Sequence, residues 1–572
     1  MDPITKQWIV RNDVTCEMAD DLAGAVGISS LTACLLIHRG IRDPHQALSF
    51  LSPSLKDIHD PFLLLECDTA VDRILFAMDN GQTIFVHGDY DVDGVTSAAL
   101  LTRVLTKLGA KVIPFVPNRS RDGFGVQTWT VEKAHSEGAD LLLTCDCGTS
   151  AIEACDRAAE LGLDIVITDH HEPGSERPNA LAVVNPHMKG SRYPYKNLAG
   201  VGVAYKICQA LCHRRGIDLE NLHNHFLDLV ALGTVSDVVP LLDENRAYVF
   251  HGLKNLANSR KLGIQALIQV SGMDAARMTS EDIGFRLGPR LNAAGRLAEA
   301  SEALELLITN SQKAAREIAA SLSTRNRERQ DQQNRIWKEA LEVITLRNYQ
   351  DNHVIVVEGE NWNPGVIGIV AGKIAERYHR PAFVLAPVDS LYTGSARSIP
   401  GFNLAEAIDS LGKNLVEGGG HAMAAGVKIR PENLERFRER VNSLAGEWLT
   451  PEDLIPSIDI EAKIDAGDID LQVCKEISQL APFGEGNEEP ILISEGVRLE
   501  NIRCIGSDGQ HLKAEISSRW GRLSVFGWGM GDLCDMLDST RDYKICYNLK
   551  TNCFNGSEGV DLILQDAPRE TQ

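Results

Sequence analysis

Residues Thr83 to Ser97 read TIFVHGDYDVDGVTS. The apolar run Ile84-Phe85-Val86 predicts a short buried strand. Asp89, Asp91 and Asp93 follow at alternate positions beside His87, and from Gly94 a helical pattern runs over Val95 to Leu108. Strand, acidic loop and helix form the unit of an open α/β sheet, which places its ligands outside the carboxyl edges of the strands. Three carboxylates within five residues repel one another and lose hydration unless a cation compensates them, so the loop calls for a divalent metal. Capping the helix would need a single Asp and leaves the other two without a role.

Outward from this loop, short apolar runs alternate with amphipathic helices from Gly81 to about Val184. The predicted strands are Ile84–Val86, Lys111–Val116, Asp140–Thr144, Asp164–Thr168 and Ala182–Val184, the alternation of βαβ units and a parallel sheet. Three strand ends carry candidate chemistry. The first delivers Asp91 and Asp93; LLLTCDCGTS delivers Asp146 before a helix starting near Thr149; DIVITDHHEPG delivers Asp169, His170 and His171. If those strands are neighbours, carboxylates and imidazoles converge as a binuclear metal site requires. Cys145 and Cys147 flank Asp146, and strand alternation would turn both to the opposite face as small buried residues. A further acid, Asp237, follows the helical run in FLDLVALGTVSDVVPL, in a loop after Gly233 and before Pro240, and taken alone reads as an ordinary helix-end residue.

The 572 residues predict about three or four domains. The opening MDPITKQWIV has no charged and apolar leader pattern, and no apolar run approaches the ~18 residues of a membrane span; the expectation is a soluble, cytoplasmic protein. Thirteen scattered cysteines without C-x-x-C spacing imply reduced thiols rather than a disulfide framework or structural zinc. A net charge of −22 opposes non-specific coating of nucleic acid but leaves room for a local basic channel.

Residues 1–75 read as an N-terminal extension packed on the first sheet. Gly200-Val201-Gly202 lacks the third glycine of a dinucleotide fingerprint and reads as a tight helix entry. His223 and His225 lie on a helix among Leu and Phe and read as structural. Ser301 to Leu346 is helical throughout and so polar that it reads as a solvent-bridging connector. Residues 353–447 restart a strand and helix pattern, in which Gly394-Ser395-Ala396-Arg397-Ser398 and Gly418-Gly419-Gly420-His421 suggest amides and a guanidinium around an anion. From Val497 to Gln565, five short strands with one helical piece near Leu533 fit an OB-fold β-barrel, with Phe526, Trp528, Tyr543 and Phe554 either stacking platforms or core.

HGDYDVDG, the Asp146 strand end, the DHH at Asp169-His170-His171, and GTVSDVVPL resemble motifs I to IV of the DHH phosphoesterase superfamily. GPRLNAAGRL (Gly288–Leu297) and GGGHAMAAG (Gly418–Gly426) narrow the likeness to its RecJ family of single-strand-specific exonucleases. The resemblance implies an N-terminal extension (1–75), a parallel-sheet DHH catalytic domain (76–300), a connecting helix (301–350), a smaller α/β DHHA1 substrate-binding domain (351–450) and an OB-fold domain (451–572). It implies one Mn²⁺ or Mg²⁺ on Asp93, Asp146, His170 and Asp237, and a second on Asp91 and Asp146 near His87, with Asp146 bridging. His171 and Asp146 then carry the catalysis, His171 contacting the scissile phosphate, while Asp89 and Asp169 are left between ligand and support. Arg119, Arg290, Ser395, Arg397 and His421 become the substrate-binding candidates, the first four for a terminal 5′ phosphate. Mixed imidazole and carboxylate donors favour Mn²⁺ over Mg²⁺. The implied activity is 5′-to-3′ degradation of single-stranded DNA to 5′-mononucleotides in repair and recombination, with a single-strand-binding protein and a helicase as partners. Two other readings stay open: a superfamily phosphodiesterase for short oligonucleotides or cyclic dinucleotides, and a non-catalytic replication scaffold.

Overall fold

Five parallel strands follow one another along the first half of the chain: β1 (Thr83–Gly88), β2 (Lys111–Phe115), β3 (Leu141–Cys145), β4 (Asp164–Thr168) and β5 (Ala182–Val184). They pair in the order β2-β1-β3-β4-β5, so the three strands that end in candidate chemistry are immediate neighbours. Register aligns their ends: Gly88 lies opposite Cys145, and Cys145 opposite Thr168. Side chains alternate between two cores. Ile84, Val86, Leu143 and Val166 face one helical layer, while Phe85, Leu142 and Ile167 face the other, the two-sided burial expected of a parallel sheet.

The computed structural model describes residues 6–118, 123, 125–297, 300–412, 415–554 and 557–571. The chain divides into two compact units, one of Val10–Ser323 with Asp459–Gln572, the other of Thr324–Ile458 with the stretch ending at Ile9. In the first unit the N-terminal helices are α1 (Cys16–Val26), α2 (Ser30–His38), α3 (Pro44–Leu51) and α4 (Cys67–Asp79). Only α4 joins the core of the first sheet. Helices α1 to α3 share a core with the C-terminal sheet, where Leu22, Ala33, Leu36 and Ala47 pack with Ile477, Leu512 and Tyr547. The expected packing of this segment on the first sheet is therefore corrected: polar anchors such as Arg39 on Asn487 (2.9 Å) and Ser29 on Glu476 (3.2 Å) hold it to the other end of the chain.

One face of the first sheet carries α5 (Val92–Lys107), α8 (Gly200–Arg214), α9 (Leu219–Ser236) and α10 (Asp243–Ala257); the other carries α6 (Thr128–Ser136) and α7 (Ile152–Leu161). A short helix, α11 (Leu262–Ser271), follows α10. The stretch expected to be one helix breaks into α12 (Ser301–Ile308) and α13 (Gln312–Arg347). Thr309 and Ser311 cause the break, because Ser311 donates its amide to the Thr309 hydroxyl (3.2 Å) and its own hydroxyl caps Ala314 (3.3 Å). Nor is α13 only solvent-bridging. Ala315, Ala319 and Leu322 join the core of the first unit, and Ile336, Ala340 and Ile344 join that of the second.

The C-terminal sheet runs in the order Ala462–Lys463, Leu492–Arg498, Asp542–Phe554, Ser557–Leu564, Gly521–Gly527, His511–Ser518 and Glu500–Ile505. The segment expected as one strand, Val497 to Ile505, divides at buried Leu499. In the second unit a five-stranded sheet orders Glu417–Gly420, Ala424–Ile429, Leu391–Arg397, Ala382–Val388 and Ile355–Glu358. Among the described residues no single helix is long and apolar enough to cross a membrane.

Candidate metal centre

The loop after β1 turns back on itself so tightly that side chains are excluded. A Cβ on Gly88 would lie 2.4 Å from the Gly94 carbonyl oxygen, and one on Gly94 would lie 2.4 Å from Asp89 backbone atoms. Asp91 then caps α5, accepting the Gly94 amide at 3.0 Å. Asp93, in the first turn, accepts two amides from the start of α8: Gly200 at 2.7 Å and Val201 at 2.9 Å. A helix N-terminus thus stabilises a buried carboxylate. Asp146 follows β3 with φ +61°, a conformation disfavoured for a side-chain-bearing residue. That twist breaks the strand alternation. Cys145 packs with the α5 and α8 layer and Cys147 with the α6 and α7 layer, so the expectation that both share one face is corrected. Both are buried, and burial pushes both thiols well above their usual range.

After β4, Asp169 turns inward to organise its own loop. It accepts the amides of His170 (2.8 Å), His171 (3.2 Å) and Thr149 (2.9 Å), and holds His171 Nδ1 at 2.7 Å. Asn185 ties Thr149 (2.9 Å) to the His171 carbonyl (2.8 Å). His170 Nε2 lies 3.1 Å from Asp146, 3.6 Å from Asp237 and 3.9 Å from Asp93. Asp237 is the C-terminal cap of α9. Three overlapping sets each bring their donor atoms within 4.8 Å: Asp93, His170 and Asp237; Asp146, His170 and His171; Asp89, Asp91 and Asp146. His87 falls in none of these sets among the described residues. Its ring is fully buried against Phe115, 5.4 Å between centroids.

The electrostatics of the cluster follow from its burial. His87, Asp89, Asp93, Asp146 and Asp169 are each at most 2 % exposed. Burial, reinforced by Asp91, pushes Asp89 and Asp93 up to about 7. Burial with the charges of Asp93 and Asp91 pushes Asp237 up to about 9, and the same causes raise Asp146 well above the carboxylate range. Burial lowers His87 and His170 to about 4. The hydrogen bond that His171 Nδ1–H donates to Asp169 raises His171 to about 9; burial opposes the ionisation of Asp169, but His171 and Thr149 still hold it down to about 2. Asp89 Oδ1 and both ring nitrogens of His87 are buried without a hydrogen-bond partner, and Asp146 Oδ1 and His170 Nε2, though 3.1 Å apart, are not aligned as a hydrogen bond and have no other partner. Buried polar atoms are normally satisfied. Oxygen and imidazole donors left open in one acidic pocket fit divalent cations.

Three family models match in succession: the DHH family, N-terminal domain, over residues 83–234; the DHHA1 domain over 351–447; and the RecJ OB domain over 460–566. The single-stranded-DNA-specific exonuclease RecJ of Bacillus subtilis is 38% identical over 94% of this chain and 68% of its own length. That of Escherichia coli is 34% identical over 93% of this chain and 94% of its own. The chain belongs to the RecJ family. The crystal structure of RecJ in complex with Mn²⁺ from Thermus thermophilus matches 99% of this chain and 80% of that one, at 30% identity and a TM-score of 0.85.

Of the other residues singled out for a RecJ-type site, Arg119 lies outside the described residues. Arg290, on the Gly288–Leu297 helix of the first unit, donates to the Arg286 carbonyl (2.6 Å) and to Ser323 (3.4 Å). In the second unit, Ser395 and Arg397 share one face of the Leu391–Arg397 strand above the Pro364–Tyr378 helix, where a Cβ on Gly368 would lie 3.4 Å from Ser395 Oγ and 3.8 Å from Arg397 Nη2. His421 is exposed, its amide bonded to Ala424. The stretch around Gly394 is a paired strand rather than an anion-binding turn, and Gly394 is required because a Cβ would strike Leu385 at 2.3 Å. In the RecJ OB domain Tyr543 is core, 2% exposed, and the Phe554 side chain lies outside the described residues. Phe526 and Trp528 stack at 5.8 Å and 10°, with Lys513 4.9 Å over Phe526 and Trp528 largely exposed. Residue patterns missed one part of the centre, the Gly200 and Val201 amides. The glycine pair before an apolar helix was its only sign.

Proposed function

We propose that the chain is a metal-dependent exonuclease that degrades single-stranded DNA from its 5′ end to 5′-mononucleotides, serving repair and recombination. The observation that carries this reading is the set of unpartnered donors on Asp89, Asp146 and His170 at the adjoining ends of β1, β3 and β4. One cation would be held by Asp93, Asp146, His170 and Asp237. A second would be held by Asp91 and Asp146, with Asp89 and His87 beside it. Asp146 belongs both to the set with His170 and to the set with Asp89 and Asp91, which supports the bridging role. The donor mixture favours Mn²⁺ over Mg²⁺. When bound, such a pair polarises the phosphodiester and lowers the pKa of a bound water.

The protein's own residues do the rest. The α8 amides hold the Asp93 carboxyl group in place. Asp169 fixes the His171 ring by Nδ1 and keeps it protonated at neutral pH, so the opposite ring edge presents an N–H to a phosphate oxygen. Arg290 in the first unit, and Ser395, Arg397 and His421 in the second, are the proposed contacts to the phosphates of the strand. Phe526 and Trp528, with Lys513 beside them, suit base stacking and phosphate contact on a strand. The test is hydrolysis of long single strands, duplexes, dinucleotides and cyclic dinucleotides with Mn²⁺, Mg²⁺ or EDTA. Rapid loss of long single strands with either metal supports the reading, and preferred cleavage of the cyclic or dinucleotide substrates refutes it.

A further inference from the structure

At the far end of the helices that carry the metal-site carboxylates lies a second feature. Helix α5 runs from its Asp91 cap to Lys107, 16 residues or about 24 Å. Helix α9 lies against it in the opposite sense: Gly233 packs on Asp93 and Thr96, with Asp237 one turn on, while the α9 residues Asn224 to Asp228 meet the Lys107 end. Between those distal ends, the end of α10 and the joint after α12 opens a cavity of about 800 Å³, within the range of small-molecule sites.

Its walls are basic in a chain of net charge −22. Arg103, Lys107, Arg260 and Lys261 all line it. Lys261 is neutralised by Asp228, at 2.7 and 2.9 Å, and Ser259 braces that carboxylate at 2.7 Å. Arg103, which lines the cavity, donates to the Leu307 (2.7 Å) and Thr309 (3.3 Å) carbonyls. Arg103, Lys107 and Arg260 form no ion pair among the described residues; the single carboxylate lining the cavity is the one Lys261 already holds. Lys107, Arg260 and Arg103, the last drawing in part on the Asp228 that Lys261 already holds, leave the concavity with an excess of positive charge, and that field selects a multiply charged anion. The remaining wall is mixed: Leu262 and Ile308 are apolar, Asn224 and Asn310 carry amides, a lining suited to a flat heterocycle with polar edges.

We infer that this cavity binds a phosphate-bearing small molecule of nucleotide size, at a site separate from the metal centre. The cations would take the phosphates, and the mixed wall would take the base.

The probe is ATP, titrated calorimetrically into the intact chain in EDTA so that bound metal plays no part. Adenosine and inorganic phosphate serve as partial probes. Saturable ATP binding is expected, unchanged in the Asp146→Ala variant and weakened at least about tenfold by Lys107→Glu with Arg260→Glu, since each charge-assisted contact is worth that much. Both side chains are exposed, so single-strand hydrolysis by the double variant should match the wild type and report its fold. If charge reversal perturbs the fold, Lys107→Ala with Arg260→Gln replaces it, with the same direction expected. No saturable binding to the wild type, or an affinity indifferent to these substitutions, overturns the site. Because the readout is binding in EDTA, it stands or falls independently of the nuclease reading.

Discussion

Gly200→Ala tests the geometry of the metal centre with one methyl group. Gly200 opens α8, donates its amide to Asp93 at 2.7 Å, and faces Asp146: an added Cβ would lie 2.4 Å from Asp146 Oδ1 and 2.7 Å from its Cβ and Cγ. Real Cβ contacts do not fall below 3.0 Å, so either Asp146 or the first turn of α8 must retreat by roughly half an ångström. Neither can do so freely, because Asp146 ends a central strand and Val201 is also bonded to Asp93. Overpacking of this kind costs about 1–3 kcal/mol of stability, and a misplacement of about 1 Å in a catalytic constellation lowers rates by about 10²-fold. The expected outcome is a folded protein with a modestly lower Tm, kcat/KM on single strands reduced at least about tenfold, and weaker Mn²⁺ binding. Steady-state hydrolysis, a thermal melt and a Mn²⁺ titration on one preparation measure all three. Full activity with unchanged Mn²⁺ affinity would refute the role given to the α8 N-terminus.

Metal-free protein should lose stability as pH rises from about 6.5 to about 9. In that window Asp237 (about 9) and His171 (about 9) hold protons in the folded state that the unfolded chain has released, so stability falls with pH. The lowered His87 and His170 act only below that window. Melts in EDTA should show the fall, and Mn²⁺ should raise Tm more at pH 8.5 than at pH 6.5; a flat EDTA profile would count against the buried carboxylate cluster. Removing the 5′ phosphate from the substrate, or Arg397→Ala, should weaken 5′-end capture by roughly 1.5–3 kcal/mol, read from KM, and an unchanged KM would remove Arg397 from that role. Trp528→Ala should weaken binding of long strands by about 1–3 kcal/mol while sparing cleavage of the shortest oligonucleotides. An equal loss on all lengths would make Trp528 a packing residue instead.

Deleting the C-terminal domain would strip packing partners from the N-terminal helices and from α10. Leu22, Leu36 and Ala47 pack into its core, and Arg246 of α10 donates to the carbonyls of Ala481 (2.9 Å) and Pro482 (3.4 Å). Such long-range packing leaves no local trace, which is why α1 to α3 could not be assigned to the C-terminal sheet from residue patterns. The convergence of the acidic strand ends was legible for the opposite reason. Short continuous apolar runs ending in Asp, Asp-x-Asp and Asp-His-His announce both the strand and the edge where its chemistry sits. What escaped were effects set by one backbone angle or one contact: the φ of Asp146 that separates Cys145 from Cys147, the Ser311 cap that splits the helical run, and the packing that makes Gly394 a strand residue. Tyr543 shows the same limit, since an aromatic at an alternate position reads alike whether it faces core or solvent.

The most direct test is the number of Mn²⁺ ions bound per chain by the wild type and by Asp146→Ala, measured by equilibrium dialysis at neutral pH. Two ions are expected on the wild type and at most one on the variant, because a bridging carboxylate serves both. A variant that still binds two ions would contradict the account.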